Sequence, residues 1–225
     1  MSAVEYKASG FTNGSLETLK WIALVAMTID HVNSVLLGRE YGWMFAVGRL
    51  AYPLFAFVVA VNLARPYGDK LRSVKRLLLW GCVAQIPHML AFQAWLPLNV
   101  LFTFGLAGLV LVLWERRQEA LAVVVFLGLS LFVDYQWSGV ALVLAVYHGA
   151  KNQWREGVFA CLVALWSLTL VNGSWWQWVA LLPVLLVYAA QLETPRLRWA
   201  FYGYYVGHFV VLAAVASVNL EALRS

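Results

Sequence analysis

Long apolar runs separated by short polar breaks recur along nearly the whole chain. The first run, Leu19–Leu37 (LKWIALVAMTIDHVNSVLL), is long enough to cross a bilayer as a helix. Eight further runs follow: Trp43–Ala64, Leu77–Phe92, Leu98–Trp114, Leu121–Val133, Gly139–Tyr147, Val158–Val171, Trp175–Gln191 and Phe201–Leu220. The pattern predicts an all-α, polytopic membrane bundle of about nine transmembrane helices. The fifth and sixth runs are short, and the sixth has the length of a half-span or one arm of a re-entrant hairpin. Residues 1–18 read as a polar cytoplasmic segment, and residues 19–220 as a single transmembrane domain. The polar start lacks a small-residue cleavage site after its first apolar run, so that run is expected to be retained.

Composition narrows this further. Only 12% of residues are charged and 63% are hydrophobic, whereas a soluble domain is about a quarter charged. Twelve Trp and ten Tyr suit interfacial aromatic belts. The net charge of +5 would suggest nucleic acid in a soluble protein, but no basic groove with interleaved aromatics is present. Basic loops on the cytoplasmic side explain it better. Arg65, Lys70, Arg72, Lys75 and Arg76 crowd one short connection, which the positive-inside rule places in the cytoplasm. Counting spans outward puts Lys7, Lys20, Arg116, Arg117, Lys151, Arg155, Arg196 and Arg198 on the same side. Arg39 and Arg224 fall outside, and Arg49 falls within the membrane. The expected location is a bacterial inner membrane, with the N-terminus cytoplasmic and the C-terminus periplasmic. Cys82 and Cys161 lie inside apolar runs, so neither a disulfide framework nor a zinc spacing arises.

Candidate chemistry lies where polar groups interrupt the apolar runs. Asp30 and His31 stand side by side well inside the first run. A charged carboxyl at that depth costs roughly 2.5–3.5 kcal/mol, so such groups face a protein interior or a watered cavity. An acid beside an imidazole is what proton transfer uses, and it also serves as a structural tie between helices. Lys20 falls on nearly the same helical face as His31, and Met27, Thr28 and Ser34 lie within roughly 60° of that face. Asp30 sits about 100° round from His31, placed either to flank the imidazole or to reach a neighbouring helix.

At 1.5 Å per residue, Arg49 lies near the level of His31, with Asp30 or Asp134 as its partner. Pro53, four residues on, is expected to loosen the helix on the face of Arg49. Gln85 and His88 share a face of the third run, and Asn99 and Thr103 a face of the fourth. In the last run Tyr204 and Tyr205 precede His208 by four and three residues, so they crowd its face. No His spacing within one helix fits a metal site, and no nucleophile elbow, Walker loop or dinucleotide fingerprint occurs.

Four segments resemble the TraX family, integral membrane proteins associated with N-terminal acetylation of conjugative pilin. They are LKWIALVAMTIDHVN, WMFAVGRLAYPLFAFVVAVNLAR, LNVLFTF and FYGYYVGHFVVL, spread from Leu19 to about Val215. That family is similar in turn to multi-helix membrane acyltransferases, which carry a basic residue and a His in their first helix. The larger group usually has Arg where this chain has Lys20, and lysine cannot form a bidentate clamp.

The resemblance implies acetyl transfer from acetyl-CoA to the amino terminus of pilin, without a metal. On this reading His31 is the general base and Asp30 holds its tautomer. Arg49 stabilises the oxyanion or locks Asp30. Lys20, Arg72, Lys75, Arg76, Asn99, Tyr205 and His208 form the substrate and CoA-binding set. Arg116 and Arg117 add to the basic face that the anionic carrier meets. An O-acetyltransferase acting on an envelope glycan is the alternative within the same chemistry. A proton-coupled transporter using Asp30, His31 and Arg49 as a relay is the alternative outside it, and it would be favoured by paired broken helices. A non-catalytic pilus-assembly scaffold would make no use of the Asp-His pair.

Overall fold

The computed structural model describes residues 10–222 except 67, 152, 153, 196, 198 and 199. Lys7, Arg196, Arg198, Arg224 and the side chain of Arg155 lie outside what it describes. The described residues form helices α1 (Asn13–Val35), α2 (Gly42–Gly48), α3 (Ala51–Ala64), α4 (Lys70–Phe92) and α5 (Val100–Glu115). They continue with α6 (Glu119–Leu129), α7 (Gln136–Lys151), α8 (Trp154–Asn172), α9 (Leu181–Ala190) and α10 (Ala200–Ala222). With α2 and α3 taken as one interrupted rod, the described residues make nine rods in up-and-down order. No strand occurs among them; the nearest approach is an isolated bridge between Leu98 and Val133. By length and composition two stretches, Gly42–Ala64 and Ala200–Val218, are long and apolar enough to cross a membrane. Others, among them Val100–Glu115 and Glu156–Asn172, are shorter apolar helices.

The helix ends differ from the sequence reading where a side chain caps the backbone. Thr12 accepts a hydrogen bond from the Ser15 amide (3.0 Å), so α1 starts within the segment expected to be a polar tail. Asp69 does the same for Arg72 (2.9 Å). Arg72, Lys75 and Arg76 therefore stand on the first turns of α4, not in a loop. The sixth run lies within a 16-residue helix, α7, longer than the run itself. Its ends carry Gln136 and Lys151, which shorten its apolar signature, while its middle is buried at Val140 and Val143. The α7–α8 crossing depends on glycine: a Cβ on Gly157 would collide with the backbone of Gly149. Small residues of this kind let helix backbones approach closely.

The second rod breaks at Arg49–Leu50, four residues before Pro53. Proline has no N–H to offer the Arg49 carbonyl, and its ring crowds that carbonyl. The helix therefore restarts on α3, and Arg49 sits at the joint.

Contacts sort the rod ends into two sets. At one end, Arg65 donates to Asn13 (2.5 Å) and Thr12 donates to Glu193 (2.5 Å). There too Arg76 lies over Tyr202, and Lys70 and Lys151 both reach Glu115 at 3.1 Å. The opposite end joins Asn33 to Tyr41, and Leu98 to Phe132 and Asp134. Most basic side chains thus gather at one end of the bundle. Between the ends, large apolar side chains face outward on many rods, for example Phe159 (71% exposed), Leu170 (70%) and Ile86 (66%).

Glu115 organises part of the basic end, accepting also from Tyr147 (2.8 Å). Partial burial pushes its carboxyl pKa up, but hydrogen bonds from Tyr147, Lys70 and Lys151 outweigh that and hold it below the ordinary 4.5. A depressed carboxylate stabilises the fold above its unfolded pKa, and that contribution is lost as pH falls through the folded value. Glu115→Gln is expected to lower stability at pH 7 by no more than about 1 kcal/mol, given its exposure. Thermal melts of the variant and parent should converge once pH has dropped below the ordinary carboxylate range. A gap that stays constant with pH would remove the ion-pair account of Glu115.

Candidate active site

Three helices bring histidines to one place. His31 comes from the C-terminal half of α1, His88 from α4 one residue after Pro87, and His208 from α10, two turns in from its start. Phe209 lies among them, with ring centroids 5.0, 5.1 and 4.0 Å from His31, His88 and His208. Phe92 closes the side at 5.4 Å from His31. His31 Nδ1 and His208 Nε2 are 2.9 Å apart, in rings that are nearly parallel (10°).

The direction of that hydrogen bond follows from the next one. His208 Nδ1 lies 3.1 Å from the Tyr204 carbonyl, which can only accept, so Nδ1 of His208 carries its proton. In a neutral imidazole Nε2 is then the acceptor, and His31 must donate from Nδ1. His31 Nε2 is left as a lone pair with no protein partner among the described residues. His31 itself is half-buried, while His208 is 8% exposed. The result is a base with a fixed tautomer and one open nitrogen.

Asp30 does not supply this orientation. It points away from the imidazole, as its 100° offset allows, and accepts from Arg49 Nη2 at 2.7 Å. Gly48 makes the room: a Cβ there would collide with the Asp30 side chain. Arg49 also lies over the Phe45 ring (4.5 Å) and within electrostatic reach of Asp134 and Tyr135. Of the two roles expected for Arg49, holding Asp30 is the one its geometry meets. Thr28, placed near the His31 face by its spacing, bonds the Tyr204 hydroxyl at 2.8 Å and so braces α1 against α10.

A cavity of about 290 Å³ opens at the basic end. Lys20, Arg65, Arg76 and Ser73 line its mouth, with Tyr202 and Phe201 on one wall. Tyr205 lies deepest toward the histidines: it is 3% exposed, and its ring is 5.5 Å from His208. The cavity thus ends one aromatic ring short of the histidine pair. Lys20 is tied to Glu17 and lies over Phe201 (5.5 Å). Of the basic side chains expected to meet the carrier, Lys20 and Arg76 line this cavity. Arg72 and Lys75 are exposed beside it on α4, and Arg116 and Arg117 sit at the α5–α6 corner near Glu115.

Asn99 has another employment. It caps α5 through the Leu101 amide (3.1 Å) and donates to Gly81 (2.9 Å) and Gln85 (2.7 Å), fully buried at the far end. Its polar groups clasp α4 to α5 and are not turned to the cavity. Thr103 likewise donates to the Asp134 carbonyl (2.7 Å).

Sequence reasoning missed the His31–His208 bond and the contribution of Arg65 and Ser73 to the cavity. Position of His208 two turns inside α10 was the available signal for the former. No group of three or more His, Cys, Asp or Glu among the described residues is arranged to hold a metal ion.

A family described as TraX protein matches residues 15–216. A protein named TraX from Escherichia coli is 33% identical over 220 residues, covering 90% of this chain and 88% of that protein. A second TraX, from Escherichia coli strain K12, is 33% identical over 161 residues, or 68% of this chain and 64% of that one. An uncharacterised protein of Rickettsia prowazekii (strain Madrid E) is 33% identical over 90 residues, 40% of this chain and 34% of its own length. No solved structure matches. The matched region contains α1 through most of α10, with the histidine pair, the Asp30–Arg49 ion pair and the basic cavity inside it, and the chain belongs to the TraX family.

Proposed function

We propose that this chain is a polytopic inner-membrane acetyltransferase that moves an acetyl group from cytosolic acetyl-CoA to the N-terminal amine of pilin. The observation that carries the reading is the open Nε2 of His31, fixed as the basic nitrogen by the hydrogen bond to His208. Outward-facing Phe159, Leu170 and Ile86 support a bundle dissolved in lipid, because a water-soluble surface rarely exposes apolar patches of that extent. All nine rods then span or fill the bilayer. The basic end faces the cytoplasm by the positive-inside rule, with the N-terminus inside and the C-terminus in the periplasm.

Coenzyme A is polyanionic, and the cavity mouth formed by Lys20, Arg65 and Arg76 offers it point charges and donors. Arg72 and Lys75 extend this positive field on the same helix. The pantetheine arm then runs down the wall of Tyr202 toward Tyr205. A side-chain movement of Tyr205 joins the cavity to His208 and His31. The acceptor amine approaches His31 from the other end of the bundle.

His31 Nε2 takes a proton from the amine as its nitrogen attacks the thioester carbonyl, forming the C–N bond. The C–S bond breaks as the tetrahedral intermediate collapses, and the proton held on His31 passes to the departing thiolate. During the transfer His31 is an imidazolium, and its Nδ1–H bond to His208 becomes charge-assisted and stronger. His208 is thus a positioning residue that holds the tautomer and stabilises the charged state. Asp30 and Arg49 hold the joint between α2 and α3 beside the site.

His31→Ala is expected to leave the protein in the membrane and abolish pilin acetylation, read by intact mass of the pilin. His208→Ala should cost about 10²-fold in rate, the lower range for a general base that has lost its orientation. His208→Gln should recover part of this, since its carbonyl oxygen can accept from His31 Nδ1. Normal acetylation in His31→Ala would remove the imidazole from the chemistry. Lys20→Ala and Arg76→Ala should each raise the KM for acetyl-CoA roughly tenfold, the value of one charge-assisted hydrogen bond, with kcat little changed. A fall in kcat with KM unchanged would place the carrier elsewhere.

A further inference from the structure

A second cavity, of about 420 Å³, lies between α3, α7, α8 and α9 and touches none of the histidines. That size is ordinary for a site that holds a small molecule. Leu181, Val184, Leu185 and Tyr188 line it from α9 at steps of three and four residues, so they form one stripe along that helix. Pro53 and Phe57 on α3, and Cys161 and Leu165 on α8, repeat the four-residue step. The cavity therefore runs with the helices. From Gln177, in the short 3₁₀ turn Trp176–Ala180, it reaches Tyr188, roughly 16 Å away at 1.5 Å per residue. Leu162 and Leu185 line it and also face outward (41% and 61% exposed), so it opens on the outer surface of the bundle.

One buried polar side chain lines this otherwise apolar space. Gln177 is 0% exposed, and its Oε1 has no hydrogen-bond partner among the described residues. The neighbouring Thr169 fixes which way the amide faces. Thr169 Oγ1 donates its single proton to the Leu165 carbonyl (2.9 Å). Its lone pairs accept from Trp178 Nε1 (3.0 Å) and Gln177 Nε2 (2.8 Å). Turning the amide over would set its oxygen against a hydroxyl with no proton left to give. Oε1 is therefore held as an unpaired acceptor at one end of the cavity, and such a group calls for a donor. Water does not meet the need, because an ordered water wants two to four polar partners. The other polar lining groups are the Cys161 thiol and the Tyr188 hydroxyl. Both lie several turns from Gln177.

We infer that this cavity binds one apolar chain headed by a hydroxyl, a long-chain or isoprenoid alcohol of the membrane, whose O–H donates to Gln177 Oε1. The chain then follows the α9 stripe toward Tyr188. A plain hydrocarbon leaves Oε1 unpaired. A carboxylate head sets one acceptor against another, and no charged side chain among the described residues lines the cavity to offset it. The level of the head group fits a lipid as well. Thr169 stands three residues from the end of α8, away from the basic end, so Gln177 lies toward the far end of the bundle. A lipid of that leaflet likewise keeps its hydroxyl near the surface and runs its chain inward. The lipid setting rests on the bundle lying in a bilayer; nothing in it rests on acetyl transfer.

The test is photolabelling of the full chain in phosphatidylcholine nanodiscs. The probes are 1-tetradecanol carrying a mid-chain diazirine, its methyl ether and the matching tetradecane, at equal mole fractions. Labelled residues are read by peptide mass spectrometry. The alcohol should label lining residues such as Leu165 and Val184 about five- to tenfold more than the ether or the hydrocarbon, the worth of one neutral hydrogen bond. Gln177→Leu should remove that advantage and leave hydrocarbon labelling unchanged. Val184→Trp, which fills the cavity and keeps Gln177, should lower labelling by all three. Equal labelling by the alcohol and its ether overturns the inference in the unmutated chain, whether or not Gln177→Leu accumulates. An alcohol preference that survives in well-folded Gln177→Leu overturns it too, as does labelling confined to outward residues such as Phe159. Any of these results leaves the acetyl-transfer reading untouched, and a chain that transfers no acetyl group leaves the alcohol site standing.

Discussion

The hydrogen bond from His31 Nδ1 to His208 Nε2 is the interaction on which the site depends. Neither imidazole fixes its own tautomer; the Tyr204 carbonyl does so, one turn earlier in α10. Because that carbonyl can only accept, each proton along the row is assigned in turn, and the free lone pair falls on His31 Nε2. A backbone group, held by its helix, therefore sets the basicity of a side chain on another helix. Packing keeps the row together: Phe209 stacks beside both rings, and the Thr28–Tyr204 bond pins α1 to α10 at the same level.

This arrangement separates two tasks that an adjacent acid and imidazole would otherwise share. Asp30 and His31 are neighbours in sequence, yet the helix turns them toward different partners. One faces a histidine row suited to moving a proton, the other an arginine at a broken helix joint. A direct Asp30–His31 contact would have placed a carboxylate charge beside the base. The neutral row carries no such charge, which burial makes costly. The ion pair instead joins α1 to α2 across Gly48 and sits within a cluster with unmet hydrogen-bonding capacity.

Much of the architecture is legible in the sequence. The nine apolar runs correspond to the nine rods among the described residues, because a long apolar run, beyond the length of a strand, forms a helix. The boundaries are less legible, since Thr12 and Asp69 extend α1 and α4 into polar sequence by capping. Pro53 foretells the break at Arg49, because its missing N–H acts at a fixed distance along the chain. The Asp30–Arg49 pair is legible as one of two alternatives, from depth and the shortage of partners. The His31–His208 bond is not, since it joins residues 177 positions apart and depends on how α10 rotates against α1. Asn99 misleads for a related reason: a polar residue at the start of an apolar run looks available, and only the fold reveals that Gly81, Gln85 and the start of α5 already use it.

Assigning the imidazole tautomers by ¹⁵N NMR, with histidine-labelled protein in lipid at neutral pH, tests the proton row itself. The account requires both His31 and His208 to be neutral and protonated at Nδ1, with His31 Nε2 showing the shift of an unprotonated nitrogen. A proton found on His31 Nε2 would reverse the row, leave no open base toward the acceptor, and contradict it.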